Sequence, residues 1–226
     1  MKGTSLDFQV GNETFSGYYS PASAPGPAVI VIQEWWGLVG HIRDVADRFA
    51  AAGFHAFAPD FYHGQVTEEP DEAGSLMMAL DIEKAGRMIQ GAVDMLTSKP
   101  EVTAGIGVVG FCMGGKLAMF AAGLDDRIRA CVNFYGIHPN VHPNYAAMNG
   151  PLLGLFAQND DYASPAAVKE LSIELHKLGK EHEFVTYHRV PHAFFNSDRP
   201  AVYNAEAAED AWQRTVRHFE HHLNRA

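Results

Sequence analysis

The sequence predicts an α/β fold with a mainly parallel central sheet, helices on both faces and an N-terminal antiparallel hairpin. Three observations carry this expectation. Apolar runs such as "PAVIVI" (27–32) and "GIGVVGF" (105–111) are continuous, as in strands buried on both faces. Segments with helical spacing alternate with these runs along most of the chain. Finally, 226 residues, 47% of them hydrophobic and with no repeat or low-complexity tract, suit a single domain over 1–226.

Taken in order, "SLDFQV" and "ETFSGYYS" flank Gly11-Asn12 and predict the hairpin. "PGPAVIVIQE" predicts a buried strand after a Pro-Gly turn. "GHIRDVADRFAAAG" places Ile42, Val45, Phe49 and Ala52 on one helical face and stops at Gly53. "FHAFAPD" is a second buried strand, and the acidic "GQVTEEPDEAGS" predicts an exposed loop. A helix with Ile82, Ala85, Ile89, Ala92 and Leu96 on one face follows. Next come the strand "GIGVVGF", the helix "MGGKLAMFAAGL" and the strands "IRACVNFYG" and "GPLLGLFAQ". "SPAAVKELSIELHKLG" has Ser164 as N-cap and Pro165 at the first helical position. "HEFVTYHRV" is the last strand and "NAEAAEDAWQRTVRHFEHHL" the last helix.

A formal net charge of -10 disfavours nucleic acid as a partner, because binding it needs a cationic surface. The two cysteines, Cys112 and Cys131, do not suggest a disulfide framework. "MKGTSLDFQV" lacks the apolar centre of a signal peptide, and "PAVIVI" is too short to span a bilayer. The expectation is a cytoplasmic protein without membrane attachment, a monomer or small homo-oligomer.

Ligand sites in such sheets gather at the carboxyl ends of the strands. Cys112 follows "GIGVVGF" and opens a helix, with Gly110, Gly114 and Gly115 around it. A sharp strand-to-helix turn needs glycines there, the helix N-terminus stabilises a thiolate, and the Met113 amide points where an oxyanion would develop. The motif alone fits a packed core cysteine equally well. Asp160 and Asp161 end another apolar strand, and His192 follows a further one. Nucleophile, acid and histidine in that chain order form the order of a catalytic triad with cysteine in the place of serine. Glu34 ends "AVIVIQ" at the same edge, where a charge at a helix N-terminus is the competing explanation.

"IQEWWG", "APDFYHG", "GFCMGG" and "PHAFFN", supported by "NDDYASP", together resemble the dienelactone hydrolase family of the α/β-hydrolase superfamily. The match is spread over nearly the whole chain. The resemblance implies the α/β-hydrolase fold and a cysteine-dependent hydrolase of carboxylic esters or lactones. It implies Cys112 as nucleophile, His192 as the histidine, and Asp161 as the acid, four residues before the helix-opening Pro165. It also implies Glu34 beside the thiol and Trp35 as second oxyanion donor with Met113. Members that open dienelactone hold its carboxylate with two arginines, and the matching positions here are Gly64 and Asn196. Arg189 and Arg199 flank the histidine loop and are the candidates to replace the lost charge, with nothing in the sequence fixing where they point. The alternatives are acyl transfer by the same thiol, or a small-molecule binder with reduced catalysis.

Trp36, Tyr62, Tyr135, Phe194 and Asn196 are the candidate substrate-binding residues, with Trp35 and Phe111 adding to an aromatic pocket. Cys131, inside an apolar strand, is expected in the core. His138 and His142 are separated by Pro139, which breaks the helix that would align them as metal ligands. His218, His221 and His222 are expected as solvated groups at a helix end. No metal and no cofactor are expected.

Overall fold

The computed structural model describes residues 2–224. Eight strands form one sheet in the order β1-β2-β4-β3-β5-β6-β7-β8. The hairpin is β1 (Thr4–Val10) and β2 (Glu13–Ser20), turning at Gly11-Asn12, and β2 runs antiparallel to β4 (His55–Pro59). From β4 onward all neighbours are parallel: β3 (Gly26–Ile32), β5 (Val102–Phe111), β6 (Ile128–Phe134), β7 (Leu152–Asn159) and β8 (His182–Pro191).

Continuous apolar strands serve both faces because alternate side chains point to opposite sides. In β3, Ala28, Ile30 and Ile32 enter one core while Val29 and Val31 enter the other. The first core is closed by α3 (Ile82–Thr97) and α4 (Met113–Leu124), with Leu175 from α5 (Pro165–Lys177). The second is closed by α1 (Gly40–Ala51) and α6 (Ala205–Leu223), where Phe49 meets Trp212 at 4.7 Å between ring centroids. Cys131 lies in the first core, 1% exposed, with its thiol pushed up by burial.

Two expectations are corrected here. The acidic segment is not all loop: α2 covers Pro70–Met78. Proline at the first helical position and Asp71 and Glu72 in the first turn favour a helix start, although only Ala73 is buried. Nor is His218 a solvated charge. It is half-buried, and desolvation together with neighbouring His222 pushes its pKa down to about 4.

Candidate active site

The parallel strands bring their carboxyl ends to one edge, and the candidate residues follow them directly. Cys112 comes after β5 and caps α4 with φ 54° and ψ -121°. A non-glycine residue in that conformation is strained by about 1–3 kcal/mol and needs surroundings that over-determine it. The glycines supply those surroundings. A Cβ on Gly110 would lie 1.8 Å from the Gly114 carbonyl oxygen, and one on Gly114 would lie 2.4 Å from that of Gln33. The Cys112 amide donates to Phe134 O at 3.0 Å, while its carbonyl accepts from Gly115 and Ile137. Met113 begins α4, so its amide belongs to the first turn, which lacks intrahelical acceptors.

His192 follows β8, and Nδ1 of its ring hydrogen-bonds Asp160 Oδ2 at 2.7 Å. This corrects the choice of Asp161. Register explains the difference: Asn159 of β7 pairs with Pro191 of β8, so Asp160 and His192 are the next residues side by side. A shift of one residue turns a side chain to the other side of the chain, and Asp161 is exposed. Asp160 is buried, and its Oδ1 accepts from the amides of Tyr162 and Ala163 at 2.8 and 2.9 Å. Those bonds fix the carboxylate without help from His192.

Burial alone would lower the pKa of His192. The Asp160 hydrogen bond and the adjacent Cys112 sulfur outweigh it and raise the value to about 10. Nε2 is buried and has no hydrogen bond of ordinary geometry among the described residues, with Cys112 as the group it faces. The Tyr135 ring packs against His192 at 4.9 Å and the Tyr162 ring at 5.2 Å.

Glu34, just beyond β3, is 1% exposed and lines the same cleft as Cys112 and His192. Asn196 Nδ2 donates to its Oε2, and Tyr135 Oη donates to Oε1 at 3.5 Å. Burial pushes its carboxyl up to about 7, against the pull of Asn196, His192, Arg199 and Tyr135. The folded protein therefore holds a proton that the unfolded chain has released. This contribution to stability is complete below about pH 4.5 and is lost as pH rises through about 7. Glu34→Gln removes that titration. Its Tm relative to the wild type should rise by on the order of 5 °C between about pH 5 and 8 in scanning calorimetry. A pH-independent difference would show that Glu34 does not titrate there.

The cleft encloses about 230 Å³. Trp35, Trp36, Met77, Ile137, Tyr162, Ala193 and Val202 line it around the polar groups. Of the candidate substrate-binding residues, only Trp36 is among the lining residues. Tyr62, Tyr135, Phe194 and Asn196 are buried behind it, 5%, 0%, 0% and 2% exposed. Tyr62 donates to Met113 Sδ, Phe194 packs on Tyr135, and Asn196 is committed to Glu34. Phe111, 1% exposed, is stacked between Phe134 and Phe195 in the core.

Gly64 has φ +90° and its amide donates to Asp60, a turn that favours glycine. Arg199 does reach the cleft, with its guanidinium 3.7 Å above the Trp36 ring centroid, whereas exposed Arg189 is absent from the lining. Met77 arrives from α2, Ile137 from the segment after β6, and Tyr162 from the residues after Asp160. None of the three stands out in the sequence as a pocket residue, although "NDDYASP" puts an aromatic residue at the ligand edge. His138 fastens α2 by hydrogen-bonding Met77 O through Nε2 at 3.1 Å.

Comparison with known proteins decides the family. Residues 15–223 match the model of the dienelactone hydrolase family. The chain belongs to the dienelactone hydrolase family. It is similar to protein usf of Aquifex pyrophilus, 36% identical over 98% of this chain and 99% of that protein. A protein of Aquifex aeolicus named "putative carboxymethylenebutenolidase" is 32% identical over 98% and 99% of the two chains. Among solved structures, one from Klebsiella pneumoniae described as a "putative dienelactone hydrolase" superposes with TM-score 0.80. It is 27% identical and covers 96% of this chain and 98% of its own. As a family member with the α/β-hydrolase fold, this dienelactone hydrolase-like protein is a hydrolase of ester or lactone bonds. No helix among the described residues is long and apolar enough to cross a membrane.

Proposed function

We propose that the protein hydrolyses small carboxylic esters or lactones by way of a thioester on Cys112. The observation that carries this is the His192–Asp160 pair lying beside a cysteine held at φ 54° in an apolar cleft. Glu34 lines the same cleft as Cys112 and, as a carboxylate, takes the thiol proton; its value of about 7 keeps both protonation states accessible near neutrality. The Cys112 sulfur attacks the substrate carbonyl carbon, forming the C–S bond and placing charge on oxygen. The amides of Met113 and Trp35 receive that oxyanion. On collapse the C–O bond breaks, and the imidazolium of His192, held by Asp160, gives its proton to the departing oxygen. Water then attacks the thioester, His192 takes a water proton, and the thiolate is released with the acid.

Steady-state assays of small aryl acetates and five- or six-membered lactones test this reading. At least one class should turn over with kcat/KM of about 10³ M⁻¹s⁻¹ or more, far above the buffer reaction. Rates indistinguishable from buffer for every ester and lactone would refute it.

A further inference from the structure

A second groove, of about 450 Å³, lies next to the catalytic cleft. Ile137 and Tyr162 line both spaces, so the two adjoin at the Tyr162 ring. Tyr162 is 62% exposed and stands 5.2 Å from the His192 ring. The wall beyond it is apolar, with Met119, Phe156, Val168 and Leu171, and it holds one amine, that of Lys116.

Lys116 sits in α4 four residues after Cys112, on a helix that starts at the reacting sulfur. It is half-buried, and its Nζ donates to the Tyr145 hydroxyl at 3.0 Å. No carboxylate pairs with it among the described residues. Exposed Asp161 lies on the rim, and the field of exposed Glu174 reaches the amine without an ion pair. A neutral phenol satisfies one of three ammonium donors and leaves the charge uncompensated. Burial accordingly pushes the Lys116 pKa down, with Glu174 opposing.

The mechanism indicates which part of the substrate reaches this groove. His192 must protonate the departing oxygen, so the leaving group lies on the histidine's side of the carbonyl. The acyl part then stays among Trp36, Met77 and Val202. We propose that the groove beyond Tyr162 receives the leaving alcohol or phenol and that Lys116 binds an anionic substituent on it. This rests on the hydrolase reading with His192 as the acid.

The test compares kcat/KM for 4-acetoxybenzoate, whose leaving group carries a carboxylate, with that for phenyl acetate. In Lys116→Met the ratio of the two should fall about tenfold, and Lys116→Arg should restore most of it. The matching ratio for monophenyl succinate, with its carboxylate on the acyl side, should move less than about twofold. An unchanged 4-acetoxybenzoate ratio, or a loss confined to monophenyl succinate, overturns the proposal. Failure of the wild type on all three esters would count against the hydrolase reading itself. Calorimetric binding of 4-hydroxybenzoate, the released product, decides the subsite without turnover. Weaker binding to Lys116→Met supports it and equal binding overturns it.

Discussion

Cys112→Ala is expected to lower ester or lactone turnover by on the order of 10⁴-fold or more while leaving the fold intact. Two features of the site set this expectation. On the proposed mechanism, removing the sulfur deletes the atom that forms the acyl bond, and no other described residue lining the cleft presents a hydroxyl or thiol nucleophile beside His192, apart from the Tyr162 phenol. Stability should change little, because alanine tolerates the φ 54° turn no worse than cysteine and only one buried sulfur is lost. An unchanged melting transition with lost activity is therefore the combined result to seek. A variant retaining even a tenth of wild-type kcat/KM would contradict a nucleophilic Cys112.

The second large effect separates two adjacent carboxylates. Asp160→Asn should cost on the order of 10³–10⁴-fold in kcat, because an amide in that place no longer favours the imidazolium or the required tautomer of His192. Asp161→Asn should cost less than about tenfold, since its carboxylate is exposed and makes no hydrogen bond to the imidazole. The pH dependence adds a signature. His192 is held near 10 partly by the Asp160 hydrogen bond, so Asp160→Asn should bring its value down toward the ordinary histidine range near 6.5. Imidazole chemical shifts followed by NMR titration would read that change. Equal losses in both variants would mean that the register argument misplaces the acid.

The fold was legible because buried parallel strands leave a plain mark. β3, and β5 from Ala104 onward, are apolar at every position, and strand ends at one edge follow from topology once those strands alternate with helices. The placement of Cys112 and His192 at that edge was legible for the same reason, since Cys112 directly follows the apolar β5 and His192 directly follows β8, whose polar and exposed residues leave a weaker mark. The choice between Asp160 and Asp161 was not. It depends on which residue of β7 pairs with Pro191, a register set by a bulge between Ala157 and Asn159 that no local pattern reveals. The residues that line the cleft were hidden differently. Tyr135 and Phe194 end or follow strands but turn inward to pack on His192 and on each other. Met77 reaches the cleft from a helix with a single buried residue, Ala73, which is too little amphipathicity to read. Asn196 stands where a cation was sought, yet its amide is used to hold Glu34.

Alkylation with iodoacetamide near neutral pH, followed by peptide mass spectrometry and residual activity on the same samples, tests the role of Cys112 most directly. Cys131 is 1% exposed with its thiol pushed up by burial, so it should remain unmodified in the folded protein. A nucleophilic Cys112 predicts one carbamidomethyl group at Cys112, with hydrolytic activity falling in proportion to its occupancy. Full modification of Cys112 with activity retained would contradict the mechanism.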